Sequence, residues 1–238
     1  MKIFDLDSPL MNVLNKMADL MWLNILTLIC CIPVITAGAA LTSMHYVALK
    51  IVRNEESYIT RSFFKSFKTN FRQATLIWLL LMLVAAILGG DYYIITKSGM
   101  QFSQVLVVLI MAAGVLVICT SLYVFPVLAK FDNTILNTIK NAFFMAIGNL
   151  PRTLLMAAVI VGSIVLTFLS QQTIAIGLLV WIMCGFALIA FLNAHILVKV
   201  FDRYIPTDEE SSVESVIDGS VFQNLHPVDS AEDDDTSL

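Results

Sequence analysis

A run of 46 residues, Thr153 to Val198, contains no Asp, Glu, Lys or Arg. Soluble domains carry about 25% charged residues, so a stretch of this length is not typical of a soluble core. A membrane-spanning helix needs about 20 apolar residues, because each residue adds about 1.5 Å along the helix axis. The run is therefore long enough to cross a bilayer twice, with the polar cluster Ser170–Thr173 as the turn.

The composition of the whole chain points in the same direction. Of its 238 residues, 58% are hydrophobic and 13% charged, and the mean hydropathy is +0.85. This predicts an all-α membrane protein, a bundle of about five transmembrane helices with two amphipathic cytoplasmic helices. The predicted spans are residues 20–44, 74–95, 105–128, 154–169 and 174–200.

Basic residues in the short loops predict how the chain is threaded, since cytoplasmic loops are enriched in Lys and Arg. The first and third loops are basic, whereas the second holds only Lys97 and the fourth holds no charge. Lys199 and Arg203 follow the last span, so we expect a plasma-membrane protein with a cytoplasmic C-terminus. Five spans would then place the N-terminus outside. The bases of the two cytoplasmic loops are Lys50, Arg53, Arg61, Lys65, Lys68, Arg72, Lys130, Lys140 and Arg152.

The first apolar stretch is interrupted by Pro33 and Gly38. Proline has no backbone N–H and therefore bends or breaks a helix, and Thr36 and Gly38 could help to resatisfy the freed backbone groups. The simplest interpretation is a kink, and a more specific one is a broken helix that lines a substrate site. A third interpretation is a helical hairpin, which would return the chain to the cytoplasm and place the N-terminus inside.

The C-terminal part of the chain differs from the rest in charge. From Pro206 onward there are ten acidic residues and no Lys or Arg. Such a segment cannot bury enough apolar surface to offset its ordering entropy. We therefore expect two regions, a transmembrane helical domain at 1–204 and an acidic, mostly disordered cytoplasmic tail at 205–238.

The first cytoplasmic loop has the pattern of a basic amphipathic helix. Its aromatic and aliphatic residues recur at four-residue spacing and its bases lie on another face. Such a helix can lie at the membrane surface with its bases toward anionic headgroups, or it can dock a protein partner. The apolar residues are Ile59, Phe63, Phe64, Phe67 and Phe71, and the bases that could bind the membrane surface are Arg61, Lys65, Lys68 and Arg72.

The third loop repeats this pattern. Phe131, Ile135, Ile139 and Phe143 follow one another at four-residue spacing before the helix-ending segment that contains Pro151. Together the two loops would form a cytoplasmic platform. We expect the docking residues for a partner to be Phe63, Phe64, Phe67, Phe71, Ile135, Ile139 and Phe143.

Polar residues within the predicted spans are few. Asn24 and Thr27 could hydrogen-bond across helices. Asn193 and His195 lie near the cytoplasmic end of the last span, where a lone His is more often bonded to a neighbour than part of a proton relay. Pairs of small residues four apart predict close helix packing: Ala86 with Gly90, Ala158 with Gly162, and Ala190 with Ala194.

Several short segments resemble the YesL-like family of bacterial membrane proteins. The resemblance covers most of residues 1–204 and leaves out the acidic tail. The segments that carry it are Trp22-Leu23-Asn24, Ile32–Ala40, Phe63–Gln73, Asn141-Ala142-Phe143 and Leu150-Pro151. The family has no established activity and supplies no catalytic residues. The resemblance implies a genomic context, beside ATP-binding-cassette (ABC) importers of carbohydrates and polysaccharide-degrading enzymes, chiefly in Gram-positive bacteria.

No enzyme motif, phosphate-binding glycine loop or metal-ligand spacing is present in the sequence, and the basic residues flank spans rather than forming a nucleic-acid-binding stripe. The leading hypothesis is therefore a non-enzymatic protein that has no cofactor. It would contact the lipid bilayer and the permease and ATPase subunits of an ABC-type carbohydrate importer. It would be an accessory subunit or assembly factor. Two alternatives stay open: an autonomous transporter or channel for an uncharged solute, and a membrane sensor that signals through the acidic tail.

Overall fold

The computed structural model describes the backbone of residues 9–55, 58–97 and 104–204, with side chains from residue 11 onward. Every regular element in these ranges is helical. The elements are α1 (Pro9–Cys31), a 3₁₀ turn (Val34–Thr36), α2 (Ala37–Val52), α3 (Ile59–Lys97), α4 (Gln104–Lys130), α5 (Ile135–Gly148), α6 (Leu150–Phe168), α7 (Gln171–Val180), a π-helical segment (Trp181–Gly185) and α8 (Phe186–Phe201).

The first predicted span is two helices rather than one, so the prediction of a single span at 20–44 is wrong. The chain turns at Pro33, and α2 returns to the end at which α1 began. Lys16 near the start of α1 donates to Asn54 after α2 (Nζ to Oδ1, 3.0 Å). The Thr36 hydroxyl lies 2.6 Å from the carbonyl oxygen of Cys30 and 2.8 Å from that of Pro33, so it satisfies backbone groups that the break frees.

Within the described residues, six helical segments are long and apolar enough to cross a membrane. The added span comes from the hairpin of α1 and α2, which was one of the interpretations of the Pro33 break. The spans predicted at 105–128 and 154–169 correspond to α4 and α6. The span predicted at 174–200 corresponds to α7, the π-helical segment and α8, which follow one another without a break.

The predicted amphipathic helix of the first loop is not a separate element. It forms the first third of α3, which runs for 39 residues and is about 58 Å long at 1.5 Å per residue. No Pro or Gly stands between Ile59 and Leu88, so nothing in the sequence stops the helix before it enters the apolar part. The second amphipathic segment does form its own helix, α5.

A buried polar chain links α4, α5 and α6. The Tyr123 hydroxyl on α4 is 3.0 Å from the hydroxyl of Thr153 on α6, and Thr153 donates to the carbonyl oxygen of Ala146 on α5 (2.8 Å). Tyr123 and Thr153 are almost completely buried. Buried hydroxyls must be paired because an unsatisfied one costs about 1–3 kcal/mol. These bonds therefore fix α5 against the two spans that flank it.

The small residues pack differently from the prediction. Ala190 and Ala194 are buried on α8 as expected. Ala86 and Ala158 are exposed, however, and a Cβ atom added at Gly90 or Gly162 would meet no atom within 4 Å. Four-residue spacing indicates a smooth helix face but does not show which face turns inward. For these two pairs the predicted close packing is absent from the part of the chain that the structure describes.

The chain divides into two compact units, Met1–Val198 and Lys199–Leu238. In the second unit, α8 ends at Phe201 and a turn follows, in which the backbone N–H groups of Arg203 and Tyr204 donate to the carbonyls of Val200 and Phe201 (3.1 and 2.9 Å). The acidic tail predicted at 205–238 lies outside the described residues.

Candidate functional site

A cavity of about 520 Å³ lies among the spans of the first unit. Its lining comes from α2, α3, α4, α6, the π-helical segment and α8, and most of it is aliphatic or aromatic. No Asp, Glu, Lys or Arg is among the described residues that line it. A cavity of this size and character is typical of sites for small uncharged molecules.

Three polar atoms of the lining have no hydrogen-bond partner among the described residues. They are His45 Nδ1 on α2, Trp78 Nε1 on α3 and Asn193 Oδ1 on α8. The Asn193 side chain belongs to a residue that is only 3% exposed. Most buried polar groups in proteins are paired, so three unpaired atoms of lining residues are unusual. Each of them has less than 1 Å² of accessible surface, so it lies within the wall of the cavity.

Trp78 is placed by a close approach of α2 to α3. A Cβ atom added at Gly38 would lie 2.5 Å from the carbonyl oxygen of Ala74 and 2.6 Å from Trp78 Cβ. Only glycine fits between the two helices at this point. Gly38 lies in the first turn of α2, and its role is therefore helix packing. The Trp78 ring lies beside that of Phe125 on α4, with centroids 6.2 Å apart.

The opposite wall is held by Asn24, which is fully buried. Its amide nitrogen donates to the carbonyl oxygens of Trp181 (3.1 Å) and Ile182 (2.8 Å), and its amide oxygen accepts from the backbone N–H of Ala187 (3.0 Å). A π-helical segment disturbs the regular hydrogen-bond ladder and is frequent at functional sites. Asn24 pairs with backbone groups at the start of this segment and just beyond its end, and so positions the rings of Trp181 and Phe186 in the cavity wall.

The prediction that Asn24 bonds across helices is therefore confirmed. Thr27 does not do so, because its hydroxyl donates to the carbonyl oxygen of Leu23 in its own helix (2.8 Å). His195 is exposed, and its Nδ1 lies 3.0 Å from the carbonyl oxygen of Phe191, also within one helix. It is not among the residues that line the cavity.

Sequence reasoning missed His45 and Trp78. His45 lay one residue beyond the predicted first span, so it was assigned to a loop rather than to an apolar helix. Once Pro33 is taken as the turn of a hairpin, His45 falls in the middle of the second apolar segment. An uncompensated His at such a position is a signal for a functional site.

The predicted docking residues of α3 differ in accessibility. Phe63 is fully buried, Phe67 and Phe71 are half-buried, and Phe64 is 39% exposed. Phe63 is therefore a core residue, and the four-residue spacing reflects packing on the inner side of α3. The bases Arg61, Lys65 and Lys68 line an open groove together with Trp22 and Phe64. Arg72 lies farther along, in a second groove beside the start of α5.

On α5 the predicted stripe also faces partly inward. Ile135, Ile139 and Phe143 are half-buried. The side of the helix opposite the buried Thr138, Ala142 and Met145 exposes Leu136 (78%), Phe144 (59%) and Ile147. We call these three residues the outer face of α5. Because α5 has only 14 residues, it is too short to span a bilayer, and none of the described helices covers its outer face.

The six apolar segments and the uncharged cavity define a multi-pass helical membrane protein. The family model described as "Protein of unknown function, DUF624" matches residues 20–92. The uncharacterized protein YesL of Bacillus subtilis (strain 168) is 31% identical over 109 residues, which are 46% of this chain and 51% of that protein. These matches confirm the resemblance to the YesL-like family.

The chain spans about half the length of the curated relative it matches. No solved structure matches the chain. The family-model match includes Asn24, Gly38, His45 and Trp78, whereas Asn193 lies outside it. The cavity is therefore built partly from the matched helices and partly from the last span.

Proposed function

We propose that this protein is a non-enzymatic accessory subunit or assembly factor of an ABC-type carbohydrate importer in the bacterial plasma membrane. The observation that carries the proposal is the outer face of α5, an exposed apolar surface on a helix too short to span a bilayer. Exposed large apolar side chains beside a base, here Lys140 between Leu136 and Phe144, are typical of a protein interface. The family resemblance adds the context, because it implies a neighbourhood of carbohydrate importers.

Features of the membrane part agree with a partner there. Ala86, Gly90, Ala158 and Gly162 lie on outward surfaces of α3 and α6, without a described helix packed against either glycine. Pairs of small residues allow helices of another protein to approach closely. In the proposed complex these surfaces contact the permease, and the outer face of α5 contacts the permease or the ATPase on the cytoplasmic side.

The test is a pull-down of the tagged protein from its native membrane in mild detergent, followed by mass spectrometry. We expect the permease and ATPase of a carbohydrate importer in stoichiometric amounts. The double variant Leu136→Ala and Phe144→Ala should lose them while inserting normally. The matched control is Leu169→Ala with Phe168→Ala, whose side chains are similarly exposed (64% and 67%) at the other end of the bundle. Recovery of the protein alone would contradict the proposal.

The proposed orientation places both termini in the cytoplasm. Six spans return the chain to its starting side, and the basic loops around Arg53 and Lys140 then lie with Arg203 on the cytoplasmic side. Green fluorescent protein fluoresces when fused to a cytoplasmic terminus but not when exported unfolded by the Sec route. Fusions at either terminus should therefore both fluoresce. Fluorescence from the C-terminal fusion alone would favour five spans.

The second candidate function is an autonomous transporter or channel for an uncharged solute, and the neutral cavity favours it. The predicted route through the break at Pro33 receives no support, because Pro33, Thr36 and Gly38 are not among the residues that line the cavity. Purified protein in liposomes should show solute flux if this function is correct. Absence of flux for a panel of oligosaccharides, with importer subunits recovered in the pull-down, would exclude it.

A further inference from the structure

We propose that one face of α3 binds an anionic phospholipid, whose phosphate lies beside Lys68 and Arg72 and whose acyl chains follow the exposed leucines of the span. This binding does not depend on the proposed function. Three observations support it, which are a row of unpaired bases, the two grooves that the row borders, and the apolar continuation of the same face.

Four bases stand in a row on this face of α3, at spacings of four, three and four residues: Arg61, Lys65, Lys68 and Arg72. Such spacings keep side chains on one side of a helix with 3.6 residues per turn. All four side chains are exposed. None of them forms an ion pair or a side-chain hydrogen bond with a residue that the structure describes. The row therefore presents positive charge to whatever lies against it.

The row borders two open grooves. The first, of about 800 Å³, lies between α1 and the start of α3 and is lined by the first three bases. The second, of about 720 Å³, lies between α3 and the segment that joins α4 to α5, and is lined by Lys68 and Arg72. Each groove also has one carboxylate among its described lining residues, Asp19 in the first and Asp132 in the second. The bases outnumber the acids four to two, so the grooves favour an anion.

The same face becomes apolar where α3 enters its span. Continuing the spacing of three and four residues beyond Arg72 leads to Leu76, Leu79 and Leu83, which are exposed by 54%, 48% and 58%. Leu83 lies about 16 Å beyond Arg72 along the helix axis, at 1.5 Å per residue. This is about half the thickness of the hydrocarbon core of a bilayer. The exposed leucines therefore follow the bases over the depth of one leaflet.

A phospholipid has the same order of chemistry as this helix face. Its phosphate accepts hydrogen bonds from Lys68, Arg72 and the hydroxyl of Thr69, which lines the second groove, and its acyl chains cover the leucines. An acidic protein segment or a soluble phosphate would pair with the bases but leave the leucines uncovered. A zwitterionic lipid carries its own cation, and so gains less from a positively charged groove.

The test is native mass spectrometry of the delipidated full chain in detergent, titrated with dioleoyl phosphatidylglycerol. Dioleoyl phosphatidylcholine, which has the same acyl chains and a zwitterionic headgroup, is the reference lipid. We expect the first phosphatidylglycerol to bind at least about tenfold more tightly, since each base near an anionic lipid contributes about fivefold in affinity. Glycerol 3-phosphate, which has the phosphate without acyl chains, should not bind at the same concentration.

Charge-matched variants locate the site. Lys68→Gln with Arg72→Gln should weaken phosphatidylglycerol binding at least about tenfold and leave phosphatidylcholine binding unchanged. Lys68→Arg with Arg72→Lys keeps both charges and should bind within about twofold of the parent protein. The control is Lys97→Gln with Lys140→Gln, which removes two exposed bases that line neither groove and should bind phosphatidylglycerol like the parent protein.

Three results would overturn the proposal. Equal affinity for the two lipids would mean that this face holds only exchanging bulk lipid. An equal loss in the Lys97 and Lys140 variant would mean that net charge, rather than this face, attracts the lipid. Glycerol 3-phosphate or a hexaglutamate peptide that binds as tightly as phosphatidylglycerol would assign the bases to a soluble phosphate or to an acidic protein segment.

Discussion

Two buried asparagines, Asn24 and Asn193, lie in apolar spans of the same bundle, and their surroundings differ. Asn24 uses both ends of its amide, donating to two backbone carbonyls and accepting from one backbone N–H. Asn193 is also almost fully buried, but its Oδ1 has no partner among the described residues. The first residue completes the protein's own structure, whereas the second lines a cavity and leaves its acceptor unpaired.

The difference separates a polar group that the fold pairs from one that it leaves unpaired. Both residues are equally unusual by composition, and the cost of burying an amide is the same for both. What distinguishes them is whether the fold itself supplies the partners. A satisfied group contributes to stability, whereas an unsatisfied one reduces it.

The largest effect is expected at Asn24. Asn24→Leu leaves the carbonyls of Trp181 and Ile182 and the N–H of Ala187 without this partner, and should lower the free energy of unfolding by about 2–4 kcal/mol. Denaturant unfolding in mixed micelles measures the change. Thr27→Val, which removes a hydroxyl bonded within its own helix, is the buried control and should cost less than about 1 kcal/mol. Equal losses would mean that Asn24 does not hold the π-helical segment.

A smaller loss is expected at the contact that places Trp78. Gly38→Ala puts a methyl group 2.5 Å from a backbone oxygen, which cannot move without shifting α3, and should cost about 1–3 kcal/mol. Gly162→Ala meets no atom within 4 Å and should be neutral or slightly stabilising. Thermal unfolding of the two variants in parallel provides the check. Equal melting temperatures would contradict the close packing of α2 on α3.

The turn at Pro33 should be less sensitive. Thr36→Val removes the hydroxyl that lies within hydrogen-bonding distance of the carbonyls of Cys30 and Pro33, at an expected cost of about 1 kcal/mol. Thr96→Val removes a comparable bond at the exposed end of α3 and serves as the control. Protease resistance of the detergent-solubilised protein at increasing temperature would show the difference. A Thr36→Val protein as resistant as the control would mean that water replaces the hydroxyl.

The smallest effect is expected at Trp22. Its indole N–H donates to the Thr60 hydroxyl over 2.8 Å, and this bond joins α1 to α3 at an exposed position. Trp22→Phe keeps the ring and loses the bond, so the expected cost is about 0.5–1 kcal/mol. Fluorescence-detected size-exclusion chromatography after heating is sensitive enough to compare the stability loss of Trp22→Phe with that of Gly38→Ala. A larger loss than at Gly38 would make this bond a principal contact of the bundle.

The sequence predicted much of the fold. Charge-free apolar runs located the spans, and Pro33 marked the break, because these signals depend on the solvent and on the backbone. It did not predict that Phe63 is buried or that Gly90 and Gly162 face outward. Four-residue spacing defines a helix face, but only the neighbouring helices determine whether that face is inside.

The cavity was less predictable than the spans. Asn24 was recognised as a cross-helix residue, but its partners are backbone groups 157 or more positions away, in a π-helical segment and at the start of α8. No sequence periodicity reports such a contact. His45 could have been found from its place in the second half of the broken stretch. Trp78 could not, because an aromatic residue in an apolar helix is ordinarily core.

The central claim is that Asn24 supports the fold and Asn193 does not, and the melting temperature of Asn193→Leu in delipidated micelles tests it most directly. Removal of an unpaired buried acceptor should leave the melting temperature unchanged or raise it, since no bond within the fold is lost. Asn24→Leu, measured alongside, should melt at a clearly lower temperature. An Asn193→Leu protein destabilised as strongly as Asn24→Leu would contradict the account and make Asn193 a structural residue.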